Sequence, residues 1–534
     1  MASQQENHPR TKSMVGGMTV LGLAGIICKL IGVLFTIPLT RLIGANGLGI
    51  YQAVYPTYNL LLTISSAGLP VAVSRLVSAC LARRDPRNAK RTFVTAAVLM
   101  TAIGVCFSIL MFLSSGYLAR RVNQPESLAG FRMIAPCVAL VCLLAAFRGF
   151  MQGQQDMVPT AISQLIEQVG KVVIALPLAA IGVKTSVALG AAYALLGITI
   201  VEGVALLYII LLYLRRRARF GALPQESTDP LLSRSQTARE LILISIPITL
   251  SACIVPLASF VDSAMLVNRM LAAGLTLEEA RPLYGLFSGL VIRLINIPTA
   301  LALSISMSLV PAVSSARAVG DTKMVQNQCD LGLRFAFLIG FPCSLGMSLL
   351  SKEIVAFFYS GSLTAQEMES AASLLSVSSL TVVLFTVVQA TSAILQGLQY
   401  QKIPMYTLVA GVVCKIALNY VLVGTPGIHI HGGPIASLVC YTVSMVPNLI
   451  FVIKKTGMRF QWKSWVLKPG GAALIMFLLT MALKHVLPLS HLTTILEIAF
   501  GVAVYLAAAF LLGAMTKEDL KSFTRGFHRK KGKA

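Results

Sequence analysis

A few charged residues lie inside apolar stretches long enough to cross a bilayer, and through them this chain could do chemistry. The cations are Lys29, Lys171, Arg293 and Lys415; the acids are Glu167, Glu202 and, near the outer end of a span, Asp262. A charge at the centre of an isolated membrane helix costs at least about 2.5–3.5 kcal/mol, so such side chains face a bundle interior or a wet cavity. Arg293 is the costliest of them, because a guanidinium stays ionised. It is either clamped by a carboxylate or carbonyls of its own bundle, or it forms an anion site. Its planar fork suits phosphate, and Asn296, three residues on, shares its helix face. Pro298 is expected to break the helix one turn later and to free carbonyls at membrane depth.

The acids leave two readings open. Glu167 and Lys171 are four apart, in the favourable order for an intrahelical pair. Glu202 has no partner in its own sequence neighbourhood; it is a protonated structural carboxyl, a partner of Lys29, or a proton site. Glu167, Glu202 and Asp262 are therefore the candidates for ion coupling. His429 and His431 form a His-x-His beside Gly432-Gly433-Pro434 and read as loop residues. The ten cysteines fall mostly in apolar spans and contain no CxxC pair, so neither a disulfide framework nor a zinc site is expected. No HExxH, phosphate-binding loop, GxSxG or paired catalytic carboxylates occur. The expectation is a protein that is not an enzyme and uses no cofactor or metal.

The elements that must hold these residues follow from composition. The chain has 534 residues, of which 56% are hydrophobic and 12% charged, with a mean hydropathy of +0.79. A soluble domain cannot hide that much apolar surface. Apolar runs of about 20 residues recur throughout, each able to cross about 30 Å of hydrocarbon. The fold class is an all-α membrane protein with about 14 transmembrane helices. The net charge of +24 suggests nucleic acid only until the charges are placed. They sit in loops: with both termini in the cytoplasm, about 31 of the 44 Lys and Arg fall on the inner side. The chain is thus expected to be multi-pass, in the cell membrane, with both termini cytoplasmic and membrane lipid, not nucleic acid, around it.

An internal echo divides the spans. Ile394-Leu395-Gln396-Gly397-Leu398-Gln399-Tyr400 repeats the pattern of Phe150-Met151-Gln152-Gly153-Gln154-Gln155-Asp156, with Pro404 answering Pro159. Gln152 precedes Lys171 by 19 positions, and Gln396 precedes Lys415 by the same 19. In each copy an apolar helix ends at Gln-Gly, a polar turn follows, and a proline opens the next helix. This is the plan of a secondary transporter built from repeats, with its site near the midplane. The expected organisation is a tail at 1–13, an N-lobe of six helices at 14–214, a linker at 215–238, a homologous six-helix C-lobe at 239–453, two more helices within 454–515, and a basic tail at 516–534. Trp462 and Trp465 read as an interfacial anchor before the thirteenth span.

The segments Leu42–Tyr51, Gly68–Val77, Arg148–Asp156 and Ser163–Gln168 together resemble the stage V sporulation protein B family. That family is a branch of the polysaccharide-transporter group in the multidrug/oligosaccharidyl-lipid/polysaccharide flippase superfamily. The resemblance covers nearly the whole chain. It implies transport of a polyprenyl-pyrophosphate-linked saccharide, such as a peptidoglycan precursor, by alternating access, in cell-wall or spore-cortex synthesis. The lipid II flippase branch carries a first-span cation three residues before a glycine, and Lys29 with Gly32 matches. A further cation and acid of that branch are replaced here by Phe35 and Thr36. An Arg-Leu-x-Glu-x-Pro motif of the branch matches Arg293 to Pro298, with Asn296 in place of the glutamate. On this resemblance Lys29 and Arg293 bind the pyrophosphate and Asn296 binds phosphate or sugar; Lys171 and Lys415, the matched lysines of the internal repeat, are added to the substrate-binding set. Two other readings stand beside it: a cation-coupled exporter of amphipathic drugs, and a scaffold recruiting cell-wall synthesis enzymes.

Overall fold

The structure, a computed structural model, describes residues 9–221, 230–486 and 490–515. It does not describe the side chains of 9–23, 26, 29, 30, 33, 217–221, 300, 301, 303–305 or 307. The expected basic tail, much of the linker and the Lys29 side chain lie outside the described residues. Among these residues there is no strand, and 12 helices are long and apolar enough to cross a membrane. The chain falls into two compact units, residues 1–289 and 290–534.

In the first unit α1 (Pro9–Ser66) contains two spans joined without a loop. The kink is at Gly44, at φ 66° and ψ −177°, a combination only glycine adopts readily. Next come α2 (Leu69–Ala82), α3 (Pro86–Arg121), α4 (Leu128–Gly153), α5 (Val158–Gly170), α6 (Leu176–Val183) and α7 (Val187–Gly221). The unit is completed by α8 (Arg234–Ala272) and α9 (Leu277–Gly285). Thr276 and Glu279 cap the start of α9 reciprocally. The apolar core joins α1 to α4 and α7, with Phe131, Met100 and Leu144 fully buried.

Helices α8 and α9 pack on α1 and α2, within the first compact unit. Glycines permit the approach. A Cβ on Gly49 would stand 2.4 Å from the Arg281 carbonyl oxygen, and one on Gly285 would stand 2.5 Å from that of Ala45. The contact is sealed by polar bonds: Gln52 Nε2 donates to the Ser288 carbonyl at 2.6 Å, and Tyr284 Oη donates to that of Gln52 at 3.1 Å. Gly285→Ala is therefore expected to lower the thermal midpoint in detergent, by the equivalent of about 1–3 kcal/mol of overpacking. Gly116→Ala, with nothing within 4 Å of its new methyl, should leave the midpoint unchanged or raised.

The second unit holds α10 (Ile292–Ala318), α11 (Thr322–Leu349), α12 (Ser351–Tyr359), α13 (Ala365–Ser379), α14 (Thr381–Gly397), α15 (Lys402–Leu422) and α16 (Gly432–Thr456). Helices α17 (Lys468–Lys484) and α18 (His491–Leu511) follow. They pack together and against α11 through Ala472, Met476, Tyr505 and Ala509. A largely buried ion pair, Lys484 Nζ to Glu353 Oε1 at 2.8 Å, joins α17 to α12. Trp465 corrects the anchor reading. It is fully buried and its Nε1 donates to Asp330 Oδ1 at 2.7 Å, whereas Trp462 is 54% exposed.

The echoing turns follow the same backbone course. Gln155 and Gln399 both stand at φ 62°. In each turn the amide two residues past the glycine bonds to the carbonyl of the glutamine before it: Gln155 to Gln152 and Gln399 to Gln396, both at 2.9 Å. Gly153 rests on Val77 of α2, and Gly397 rests on Val313 of α10.

Candidate functional site

In the first unit, three of the residues picked out by sequence come together around one that was not. Arg148 stands on α4, more than a turn before its end. Its Nε donates to Ser163 Oγ at 2.9 Å, and its guanidinium forms an ion pair with Glu167 of α5. Both side chains are largely buried, at 14% and 12% exposed. Glu202 of α7 is 6% exposed. Its carboxyl lies close enough to Glu167, Lys171 and Arg148 for all three to act on it electrostatically. Its Oε2 is buried without a hydrogen-bond partner. The glycines again explain the proximity. A Cβ on Gly170 would lie 2.6 Å from Val201, and one on Gly197 would lie 2.4 Å from the Ala175 Cα. Only glycine at both points lets α5 and its continuation approach α7 this closely.

From α1, Cys28 reaches the field of Glu167, Lys171 and Arg148, and Gly32 faces Gln168. On the other side Tyr58 and Cys137 share a 3.2 Å hydrogen bond near Glu202. The sequence signal for Arg148 is a polar ladder across the α4–α5 hairpin. Gln152 Nε2 donates to Thr160 Oγ1 at 3.4 Å, and Arg148 bonds to Ser163 and Glu167. Thr160, Ser163, Glu167 and Lys171 recur at helical spacing on one face.

In the second unit Arg293 is half-buried in the first turn of α10, and Asn296 is exposed one turn on. The expected break at Pro298 does not occur: α10 runs through Pro298 to Ala318. The irregularity lies upstream, in a π-helical turn at Leu286–Val291. There a Cβ on Gly289 would meet Leu48 at 2.5 Å, so the π turn lies where the chain packs closely on α1. A second π turn, Lys171–Ala175, begins at Lys171. Such turns insert a residue and rotate the remainder of the helix, and they recur at functional positions. Lys415 is half-buried on α15, which packs mainly on α16, whereas α10 packs on α11 and α14. The fold therefore does not place Lys415 on a helix neighbouring Arg293. Asp262 is buried on α8 beside Tyr284, apart from the Glu167–Glu202 cluster. Lys29 lies on α1, with its side chain outside the described residues.

The family model described as polysaccharide biosynthesis protein matches residues 14–317, more than half of the chain. The chain belongs to that family. A second model, MatE, matches residues 288–421. Among curated relatives in Bacillus subtilis (strain 168), this family member is 25% identical over 549 residues to "Lipid II flippase MurJ", covering 97% of this chain and 99% of the relative. It is also 25% identical over 459 residues to "Stage V sporulation protein B", covering 84% and 87%. A solved structure titled "Lipid II flippase MurJ, inward closed conformation" superposes with a TM-score of 0.72 at 13% identity, over 92% of this chain and 98% of that one. That likeness establishes the fold, an all-α bundle of membrane-spanning helices.

Proposed function

We propose that this chain is a flippase that carries a polyprenyl-diphosphate-linked saccharide from the inner to the outer leaflet of the cell membrane, with both termini cytoplasmic. The observation that carries the reading is end-to-end similarity to a relative named as a lipid II flippase, in a chain that keeps an ionised Arg293 within an apolar span. Lys29 and Arg293 bind the diphosphate, Asn296 binds phosphate or sugar, and the polyprenyl tail stays in lipid. The negative charge of the substrate complements cations held at such depth.

A cell-negative potential drives a bound anion outward with about 2.3 kcal/mol per charge per 100 mV. A headgroup with two negative charges is thus exported without nucleotide hydrolysis. Proteoliposomes holding the wild-type chain and a fluorescent undecaprenyl-diphosphate saccharide should translocate it under an imposed potential and slow at least about 10-fold when valinomycin and potassium collapse that potential. Full activity after collapse would move the energy source to a proton. The seat would then be Glu202 with Glu167 beside it, two acids held together inside the bundle. The MatE match over 288–421 favours a second reading, a cation-coupled exporter of amphipathic drugs. Extrusion of a small organic cation, with no movement of the diphosphate lipid, would select it.

A further inference from the structure

Away from the spans' interior, the start of α3 and the start of α8 flank an open cavity of about 280 Å³ lined by Arg87, Lys90, Arg91, Val94, Leu231 and Arg234. The α3 residues are spaced i, i+3, i+4, i+7 and so share one face. The opposite wall is held in place. Asn88, buried and bonded to Asp85, donates to the Pro230 carbonyl at 3.2 Å and accepts from the Leu232 amide at 3.0 Å. The four cations have no carboxylate within ion-pair distance among the described residues, and Arg91 Nε is buried without a hydrogen-bond acceptor. Beyond the cations the same face of α3 turns apolar and stays exposed: Val94, Val98, Val105 and Ile109 are 39%, 66%, 41% and 53% exposed. The cationic cup thus stands at the end of an outward-facing hydrocarbon stripe about as long as an acyl chain.

We propose that this cavity binds the phosphate headgroup of a membrane lipid, its chain lying along Val94, Val98 and Val105. A soluble anion would use the cations but not the stripe; an uncharged lipid would use the stripe but not the cations. Only a lipid-borne phosphate uses both. Juxtamembrane Lys and Arg attract anionic lipid with about 1 kcal/mol each, and Arg adds bidentate geometry to phosphate oxygens. The lipid is a bilayer phospholipid or the transported polyprenyl diphosphate on first docking.

Native mass spectrometry of the delipidated full chain, titrated with dioleoylphosphatidylglycerol or dioleoylphosphatidylcholine, tests this without requiring transport. Phosphatidylglycerol should bind roughly 10- to 100-fold more tightly than phosphatidylcholine. R87Q/K90Q/R91Q should reduce it to the phosphatidylcholine level, and R87K/R91K should keep most of the preference. K454Q/R459Q/K463Q removes equal charge from another cluster and should keep all of it. Val98→Asp should weaken phosphatidylglycerol while leaving the chain folded at its lipid face. Undecaprenyl diphosphate that displaces phosphatidylglycerol identifies the transported lipid as the ligand; failure to displace identifies the phospholipid. The proposal is overturned if R87Q/K90Q/R91Q retains the preference, or if K454Q/R459Q/K463Q loses it equally.

Discussion

Arg293→Ala is expected to lower translocation of the diphosphate lipid at least about 100-fold while the protein still inserts and stays folded. Hydrogen bonds to a charged group are worth about 1.5–3 kcal/mol each. A guanidinium fork supplies two, and each 1.4 kcal/mol is tenfold. Arg293→Lys keeps the charge and loses the fork, so it should retain part of the activity. Asn296→Ala removes a neutral partner and should cost about 10-fold. The measurement is a proteoliposome rate at matched protein incorporation. If Arg293 were only a structural clamp, the alanine variant would lose stability before it lost transport. A wild-type rate in the alanine variant would remove the diphosphate role from this residue.

The second large effect is expected at Arg148. Its side chain and that of Glu167 are both largely buried, and the Glu202 carboxyl lies alongside. Deleting one partner of a buried pair leaves an uncompensated charge and costs about 3–5 kcal/mol. Arg148→Ala should accordingly lower the unfolding midpoint in detergent sharply. Here the neighbouring Glu202 raises the cost, because two carboxyls then lean on Lys171 alone. The double variant R148A/E167A should recover much of the loss, since the charge that needed a partner is gone. Glu202→Gln keeps the shape and removes one acid, so it should soften the Arg148→Ala defect. Independent, additive losses in all three variants would show that the cluster does not act as a unit.

Much of this architecture is legible in the sequence because membrane insertion allows few solutions. Apolar runs mark the helices, and the Gln-Gly turns are visible as an echo whose backbone course also agrees, down to φ 62° at Gln155 and Gln399. The features that escape sequence reading are set by packing between helices. No local rule predicts that Gly49, Gly285 and Gly68 draw α8 and α9 onto α1 and α2. Pro298 reads as a break because its missing amide removes one bond, yet a single lost bond does not end α10. The π turn at Leu286–Val291 lies before Arg293. Straight-helix periodicity carried through it would therefore misplace Arg293 relative to Tyr284, although Arg293 and Asn296 keep their common face. At Glu167, the spacing to Lys171 points along its own helix, while the ion pair seen crosses to Arg148 on the neighbouring one. Trp465 reads as an interfacial residue from the lysines around it, but its indole N–H is drawn inward by the carboxylate of Asp330.

The central claim is that positive side chains on the spans hold the diphosphate. Equilibrium binding of radiolabelled undecaprenyl diphosphate to the detergent-solubilised chain, compared with undecaprenol lacking the charged head, tests it most directly. The wild type should prefer the diphosphate lipid by at least about 100-fold, and K29A/R293A should bind both lipids alike. Equal preference in wild type and double variant would contradict the account.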